Sequence, residues 1–423
     1  MKLKRVVITG LGAVTPMGVG VEALRAGLAG GRCATVSRRD EWQHFLNMHS
    51  LVAAPGPDLN EKIVPRQNRR SMSRMSFYGH DAARQALADA FGIEATWPEH
   101  FSPGRLGCII GSTTGSPIAL SQTFEMMLPD RDIGKLNAVS FFQCVSHTVA
   151  MNVAQCLGIT GSVLATNSAC ASGLQAVGAA YDLVRLGRQD AVLCGGAEEL
   201  HPSVTGSFDV LFAASARYND APSETPRPFD RDRDGIVCGE GAGILLLEDF
   251  DRARERGAKI YAEVLGYHTC ASGDHISQSN RAALIRCLSQ ALETADTRPE
   301  QIDYVNAHAA GTVQGDAEEA ATIREIFGDR VPVSSLKGNL GHTLGASGPI
   351  ELIATLMMMR DNVIYPTLNL RNPAPDCDGI QHVTSTISRP MDTFIKNSFA
   401  FGGINAALVC KKMISEPALK NHG

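Results

Sequence analysis

Cys170 stands in Ser162-Val-Leu-Ala-Thr-Asn-Ser-Ala-Cys170-Ala-Ser-Gly-Leu-Gln-Ala-Val, where a β-prone run breaks into small residues and then into a helical pattern. A strand that turns sharply into a helix presents its turn residue at the end of a sheet, the geometry of a nucleophile elbow. The free N–H groups and positive dipole end of the helix are expected to stabilise thiolate, lowering a thiol pKa ordinarily about 8.5. Small neighbours, Ala169, Ala171, Ser172 and Gly173, leave room for a substrate carbonyl. The remaining ten of the eleven cysteines read as inert buried thiols. Their odd total and the lack of a Cys-x-x-Cys pair support neither a disulfide framework nor a zinc ribbon, and a reducing cytosol fits best.

Two histidines complete a set around that thiol. His308 ends the β-prone stretch from Ile302 and leads into Ala309-Ala-Gly-Thr312-Val-Gln-Gly-Asp316, while His342 lies in Lys337-Gly-Asn-Leu-Gly-His342-Thr-Leu-Gly. Both project from strand ends or loops, where α/β proteins place chemistry. Cysteine with two imidazoles is the equipment of nucleophilic acyl transfer.

Elements able to position these groups alternate along the chain. Strands are predicted at Val6 to Thr9, Leu106 to Gly111, Ser162 to Ala165, Ala191 to Gly195, Gly243 to Leu247, Tyr261 to Gly266 and Ile302 to Ala307. Apolar spacing of three and four predicts helices at Met75 to Phe91, Ser172 to Leu186, Ser279 to Thr294, Asp316 to Phe327 and Leu344 to Arg360. Such alternation argues α/β layering. The chain has 423 residues, 20% of them charged, and a formal net charge of −5, which advertises no nucleic-acid groove and sets disorder and coiled coil aside. At the N-terminus the apolar stretch is interrupted by Gly10, Gly12 and Pro16, so it reads as a first strand and turn, not a secretion signal.

From Leu136 to Tyr181 there is no Asp, Glu, Lys or Arg. Its many amides and hydroxyls argue against a membrane span. Two explanations stay open, a core that doubles as a subunit interface and a deep single-chain core. The charged run Glu248-Asp-Phe-Asp-Arg-Ala-Arg-Glu-Arg suggests a boundary near residue 250.

Other motifs fail. Gly10-Leu-Gly12-Ala-Val-Thr15 lacks the third glycine of a dinucleotide fingerprint, and Gly239-Glu-Gly241-Ala-Gly243 precedes a strand, so it cradles no phosphate.

The chain resembles, nearly end to end, the elongating type I/II β-ketoacyl-acyl carrier protein synthases, members of the thiolase-like condensing enzymes. The resemblance is carried by Val7-Ile-Thr-Gly-Leu-Gly-Ala-Val-Thr-Pro-Met-Gly18, Asn167-Ser-Ala-Cys170-Ala-Ser-Gly173, Arg227-Pro-Phe-Asp-Arg-Asp-Arg-Asp-Gly235, Asn306-Ala-His308, Lys337 to His342 and Asn397-Ser-Phe-Ala-Phe-Gly-Gly-Ile-Asn405. It implies an α/β fold, a duplicated five-layer α/β/α/β/α sandwich, with halves at 1–255 (carrying Cys170) and 256–412 (carrying both histidines) and a tail at 413–423. It implies decarboxylating Claisen condensation: an acyl chain on Cys170 is extended by two carbons from malonyl-acyl carrier protein, in fatty acid, polyketide or polyene synthesis. The backbone of Cys170 and Phe401 would form an oxyanion hole, and His308 and His342 would donate to the malonyl thioester, with their division of labour open.

Further roles follow by resemblance. Lys337 would pair with Glu319 to order the histidines, and Phe401 would gate the acyl chain. Ala400 and Ile404 stand where the family has Gly and Thr, which predicts a stiffer gate. Thr312 would bind the phosphopantetheine arm; Ala310 replaces a second hydroxyl, which predicts weaker anchoring. Asn306 and Glu351 match a structural Na+ or K+ site, and no other cofactor is expected, since phosphopantetheine arrives on the carrier. Arg66, Arg69, Arg70 and Arg74, joined by Arg217, are a docking candidate for acidic acyl carrier protein, or else a solvated helix face. A cytoplasmic homodimer, or a heterodimer with a related subunit, is implied. An inactive chain-length-factor-like partner would have lost Cys170, and a thiolase would lack the Lys337 to His342 arrangement.

Overall fold

The computed structural model describes residues 3–93, 97–275 and 279–413. Its first five core strands are β1 (Val6–Thr15), β2 (Leu106–Gly111), β3 (Val163–Leu164), β4 (Ala191–Glu198) and β5 (Gly241–Asp249). Five more are β6 (Ala262–Ala271), β7 (Tyr304–Asn306), β8 (Pro332–Ser334), β9 (Thr393–Phe399) and β10 (Ile404–Lys411). In space they run β3-β2-β4-β5-β1 and β8-β7-β9-β10-β6. Counted from its own first strand, each set reads 3-2-4-5-1. The pairing senses also match: β2 is parallel to β3 and β4, with β5 and β1 antiparallel, and β7, β8, β9, β10 and β6 repeat this. The fold is therefore duplicated. A short antiparallel pairing of Val6–Ile8 with Ala262–Val264 joins the halves.

Six helices make the layers. The outer face of the first sheet is covered by α1 (Arg74–Phe91) and α2 (Thr148–Leu157), and that of the second by α4 (Arg281–Thr294) and α5 (Val313–Phe327). Between the sheets lie α3 (Ser172–Arg185) and α6 (Ser347–Asp361), each touching strands of both halves. Residues Ser347 to Met359 of α6 are buried without a break, as a helix in a central layer must be. The thiolase-like five-layer sandwich follows.

β1 continues past its predicted end because its glycines serve packing. A Cβ at Gly12 would fall 1.9 Å from the carbonyl oxygen of Ala82, so the glycine lets α1 lie directly on the strand. The sequence pattern missed β8, β9 and β10. The first has three residues, and β9 carries Lys396 and Asn397 where a buried strand is ordinarily apolar.

The charge-free segment divides. Much of α2 and α3 is core, yet Phe141, Phe142, Val163 and Leu164 are exposed, and β3 is the open edge of its sheet. No helix among the described residues is long and apolar enough to cross a membrane.

Candidate active site

The loop from β3 to α3 is tied to its surroundings by side chains. Asn167 Nδ2 donates to the carbonyl of Ser112 (2.8 Å), Thr166 Oγ1 to that of Ser172 (2.7 Å), and Ser168 N–H to Ser172 Oγ (2.8 Å). These bonds hold Ala169 at φ +47°, a left-handed conformation that costs a Cβ-bearing residue about 1–2 kcal/mol. Cys170 follows, 1% exposed, two residues ahead of α3. Its sulfur meets the backbone N–H groups of Cys170 and Phe401.

The expectation of a lowered thiol pKa is not met. Burial pushes the thiol up to about 12; the Lys337 charge and the two N–H groups act against that rise, and the Glu198 carboxylate adds to it. The small residues also serve a different purpose. A Cβ at Gly173 would fall 2.3 Å from the carbonyl oxygen of Gly345, so this glycine admits the loop that carries His342.

His308 follows β7, and its backbone N–H donates to Glu319 Oε1 at 2.8 Å while that of Ala309 donates to Oε2 at 2.6 Å. His342 is held by its N–H to the carbonyl of Val237 (2.7 Å) and by its carbonyl accepting from Gly239 (2.8 Å). The Leu344 N–H donates to His342 Nδ1 at 3.3 Å. In the neutral ring the proton is thereby assigned to Nε2, which is buried without a partner among the described residues, as is Nδ1 of His308. The Cys170 sulfur and one nitrogen of each ring all lie within 4.8 Å of one another. Burial, with the charges of Lys337 and Lys396, pushes both imidazoles down, His342 to about 3. Two neutral rings offer hydrogen-bond donors to a group that gains negative charge beside the sulfur.

The expected Lys337–Glu319 pair is not formed. Lys337 Nζ lies 2.8 Å from Glu351 Oε1, with both side chains buried. Glu319 instead takes the two backbone N–H groups at His308 and the amide of Asn397 at 3.0 Å. It positions the His308 loop without a lysine, because α5 places its carboxylate directly beneath that loop. The second oxygen of Glu351 lies 2.7 Å from Nζ of Lys396, a residue the sequence reading did not single out. Between two ammonium groups, Glu351 is held down at about 2 despite burial, and burial pushes Lys396 down to about 8.

The expected Na+ or K+ site at Asn306 and Glu351 does not fit these residues. Glu351 has both oxygens on ammonium groups, and Ser347 Oγ also donates to it. Asn306 gives its Nδ2 to Tyr304 and Thr355. Among the described residues the buried acceptors Asn306 Oδ1, Asn397 Oδ1 and Ser398 Oγ lack partners, but the carboxylate that would anchor a metal cation is already compensated.

A cavity of about 330 Å³ leads to the histidines, lined among others by Thr312, Ala310, Asp234, Phe399 and Phe401. Cys170 does not line it. Phe401 rests edge-on against Phe208, ring centroids 5.4 Å apart, another contact absent from the sequence reading. Gly402 (φ +89°) and Gly403 (φ +73°) make the turn between β9 and β10, and Ala400 is not left-handed, so its methyl is accommodated there. Phe399 packs on the outer core of the second sheet and also faces His308 at 6.2 Å.

The arginines do not form one patch. Arg66, Arg69 and Arg70 line a groove with no carboxylate partner among the described residues. Arg74 lines it too but is committed to Asp58 (2.9 Å) and Glu240 (3.0 Å), so its role there is structural. Arg217 is absent from that groove; it donates to the carbonyls of Asp232 and Arg233, beside Asp234 of the catalytic cavity. Glu198 was also missed: it sits at the end of β4, accepts from the N–H groups of Thr113 (2.9 Å) and Gly345 (3.0 Å), and burial pushes it up to about 7. A charged residue within an otherwise uncharged strand is the sequence signal that marks both, Glu198 at the end of β4 and Lys396 in the middle of β9.

Comparison with known proteins places these features in context. Residues 3–253 match the family described as "Beta-ketoacyl synthase, N-terminal domain" and 261–371 its C-terminal domain. The 3-oxoacyl-[acyl-carrier-protein] synthase 1 of Escherichia coli (strain K12) is 36% identical, over 97% of this chain and 100% of its own. A crystal structure of a β-ketoacyl synthase from Burkholderia phymatum superposes with a TM-score of 0.93 at 40% identity, covering 97% of this chain and 100% of that one. A type II polyketide ketosynthase solved in complex with its acyl carrier protein superposes at 0.89 with 29% identity, covering 98% and 100%.

Proposed function

The chain belongs to the β-ketoacyl synthase family, whose condensing acyltransferases act in fatty acid or polyketide synthesis, and from that premise we propose how its own residues carry the reaction. The observation that carries the reading is the convergence of one sulfur and two neutral imidazoles within 4.8 Å at the end of a cavity.

In the first half-reaction the Cys170 sulfur attacks a carrier-bound thioester. The oxyanion takes hydrogen bonds from the N–H groups of Cys170 and Phe401; the carrier thiolate leaves and takes up the thiol proton. Because the thiol is buried and protonated, the Lys337 charge, with the N–H groups of Phe401 and Cys170, favours the attacking thiolate. Phe401 swings from Phe208 to open the sulfur to the cavity, its motion carried by Gly402 and Gly403.

In the second half-reaction malonyl thioester enters along Thr312 and loses CO2. The bonding pair becomes an enolate whose oxygen accepts from the N–H groups of His308 and His342; its carbon attacks the acyl carbonyl, and the Cys170 thiolate departs. Neutral imidazoles suit this step, since they donate without protonating the carbanion, and each contributes a few kcal/mol in a dry site.

Carrier docking is assigned to the uncompensated Arg66, Arg69 and Arg70, and a homodimer to the open edge of β3. The reduced thiol that the chemistry needs suits the cytoplasm. Incubation with acyl-carrier conjugates followed by mass spectrometry tests the reading. An acyl adduct on the Cys170 peptide that disappears in Cys170→Ala is expected; an adduct that persists there overturns the nucleophile assignment.

A further inference from the structure

Four buried charged side chains stand behind the histidines: Glu319, Glu351, Lys337 and Lys396. Glu351 lies between the two ammonium groups and Glu319 feels the charge of Lys396, so the four charges balance. Without Lys396 it would hold two negative charges against one positive, an imbalance that burial makes costly. Lys396 has no other evident reason to be there. It lies in the middle of β9, fully buried, paired across the sheet with Asn306 of β7. Its Nζ bridges Glu351 Oε2 and the carbonyl oxygen of Asn397, both at 2.7 Å.

We propose that Lys396 is a built-in cation: its ammonium takes up the Glu351 carboxylate on which the resemblance would place Na+ or K+, making the site independent of monovalent metal ions. Two chains of contacts lead from it to the chemistry. Through Glu351 it sets the position of Lys337, whose charge acts on Cys170 and both imidazoles. Through the Asn397 backbone it steadies the strand whose Asn397 amide holds Glu319, and Glu319 holds the backbone of His308. Lys396 is a positioning residue. An ammonium on the chain carries its charge at any salt composition, whereas a bound metal ion dissociates.

This inference builds on the condensing function proposed above, so its test includes a readout that does not need turnover. Thermal unfolding of the full chain is followed in NaCl, KCl and choline chloride at equal ionic strength, alongside decarboxylation of malonyl-carrier. The wild-type protein is expected to show the same melting temperature and rate in all three salts. Lys396→Ser opens a space with a free carboxylate oxygen beside it. In choline it is expected to lose about tenfold or more in rate, the scale seen when a supporting contact of a charged site is removed. NaCl or KCl should raise both its melting temperature and its rate, and Lys396→Arg should resemble the wild type more than the serine variant does. A wild-type melting temperature that rises with Na+ or K+ over choline overturns the proposal even if Lys396→Ser does not fold. So does a folded Lys396→Ser protein indifferent to the salt. Loss of turnover in the wild type with its salt-independent melting retained would instead fault the functional reading alone.

Discussion

The rings of His308 and His342 meet edge to face, centroids 5.2 Å apart at 80°, and burial with the charge of Lys337 outweighs the pull of the Glu351 carboxylate on His342. Both are therefore held neutral. His342 titrates near 3 in the folded protein against 6.5 when unperturbed, and His308 is also displaced well downward. Between those two values the unfolded chain binds protons that the native state does not. The histidine contribution thus makes stability fall as pH drops from about 6.5 toward 3, with no loss above 6.5. Catalysis should not follow the same curve. Malonyl decarboxylation is expected to hold its rate from about pH 7 to pH 5 while the urea midpoint declines. A rate that falls tenfold per pH unit below 6.5 would mean that an imidazole titrates at its ordinary value.

Lys337 supplies the charge that opposes burial at Cys170, and Lys396 shares its counter-ion. Lys337→Met should accordingly fold, at a cost of about 3 kcal/mol or less, because Glu351 keeps one ammonium. The thiol should rise further. Alkylation of Cys170 by iodoacetamide at pH 8 is expected to slow by about tenfold or more, since each pKa unit is a factor of ten in thiolate. An unchanged alkylation rate in a folded variant would show that the backbone N–H groups alone set the reactivity.

The sequence made the reacting groups legible because each carries an unusual local context: a thiol among small residues, two histidines before glycine-rich loops. The duplicated sheet was only half visible. β8 has three residues, and β9 is interrupted by Lys396 and Asn397, so neither shows a strand's hydrophobic period. The partner of Lys337 was misassigned for a related reason. Glu319 and Glu351 both lie on helices close in sequence to the site, and only the packing of α6 between the sheets decides that Glu351 reaches Nζ at 2.8 Å. Thiol acidity was misjudged because a helix terminus can be read from residue types, whereas the depth at which it is buried cannot.

Ala310 stands in the wall of the cavity, 4% exposed, with its N–H given to Asp316 Oδ1 at 3.0 Å. A threonine there would add a hydroxyl two residues from Thr312 without disturbing that bond. One neutral hydrogen bond contributes about 0.5–1.5 kcal/mol, so Ala310→Thr should lower KM for malonyl-carrier by about threefold to tenfold and leave kcat unchanged. Steady-state kinetics with carrier-bound malonate decide it. An unaltered KM would mean that the arm is anchored elsewhere.

Among the described residues β3 pairs only with β2, so its other edge is open beside Val163 (43% exposed) and Leu164 (49% exposed). An open apolar edge with no charge to guard it is a pairing surface, and the uncharged segment around it exposes Phe141 and Phe142 as well. If two copies meet there, the elbow of each Cys170 is stiffened by the interface, since β3 leads directly into it. For a chain of 45.1 kDa, sedimentation equilibrium should give about 90 kDa at micromolar concentration. Val163→Lys and Leu164→Asp place charges on the face without touching the core and should shift the mass toward the monomer. Acylation of Cys170 should slow in parallel. A charged edge variant that still sediments as a dimer would move the interface away from β3 and leave the charge-free segment without its explanation.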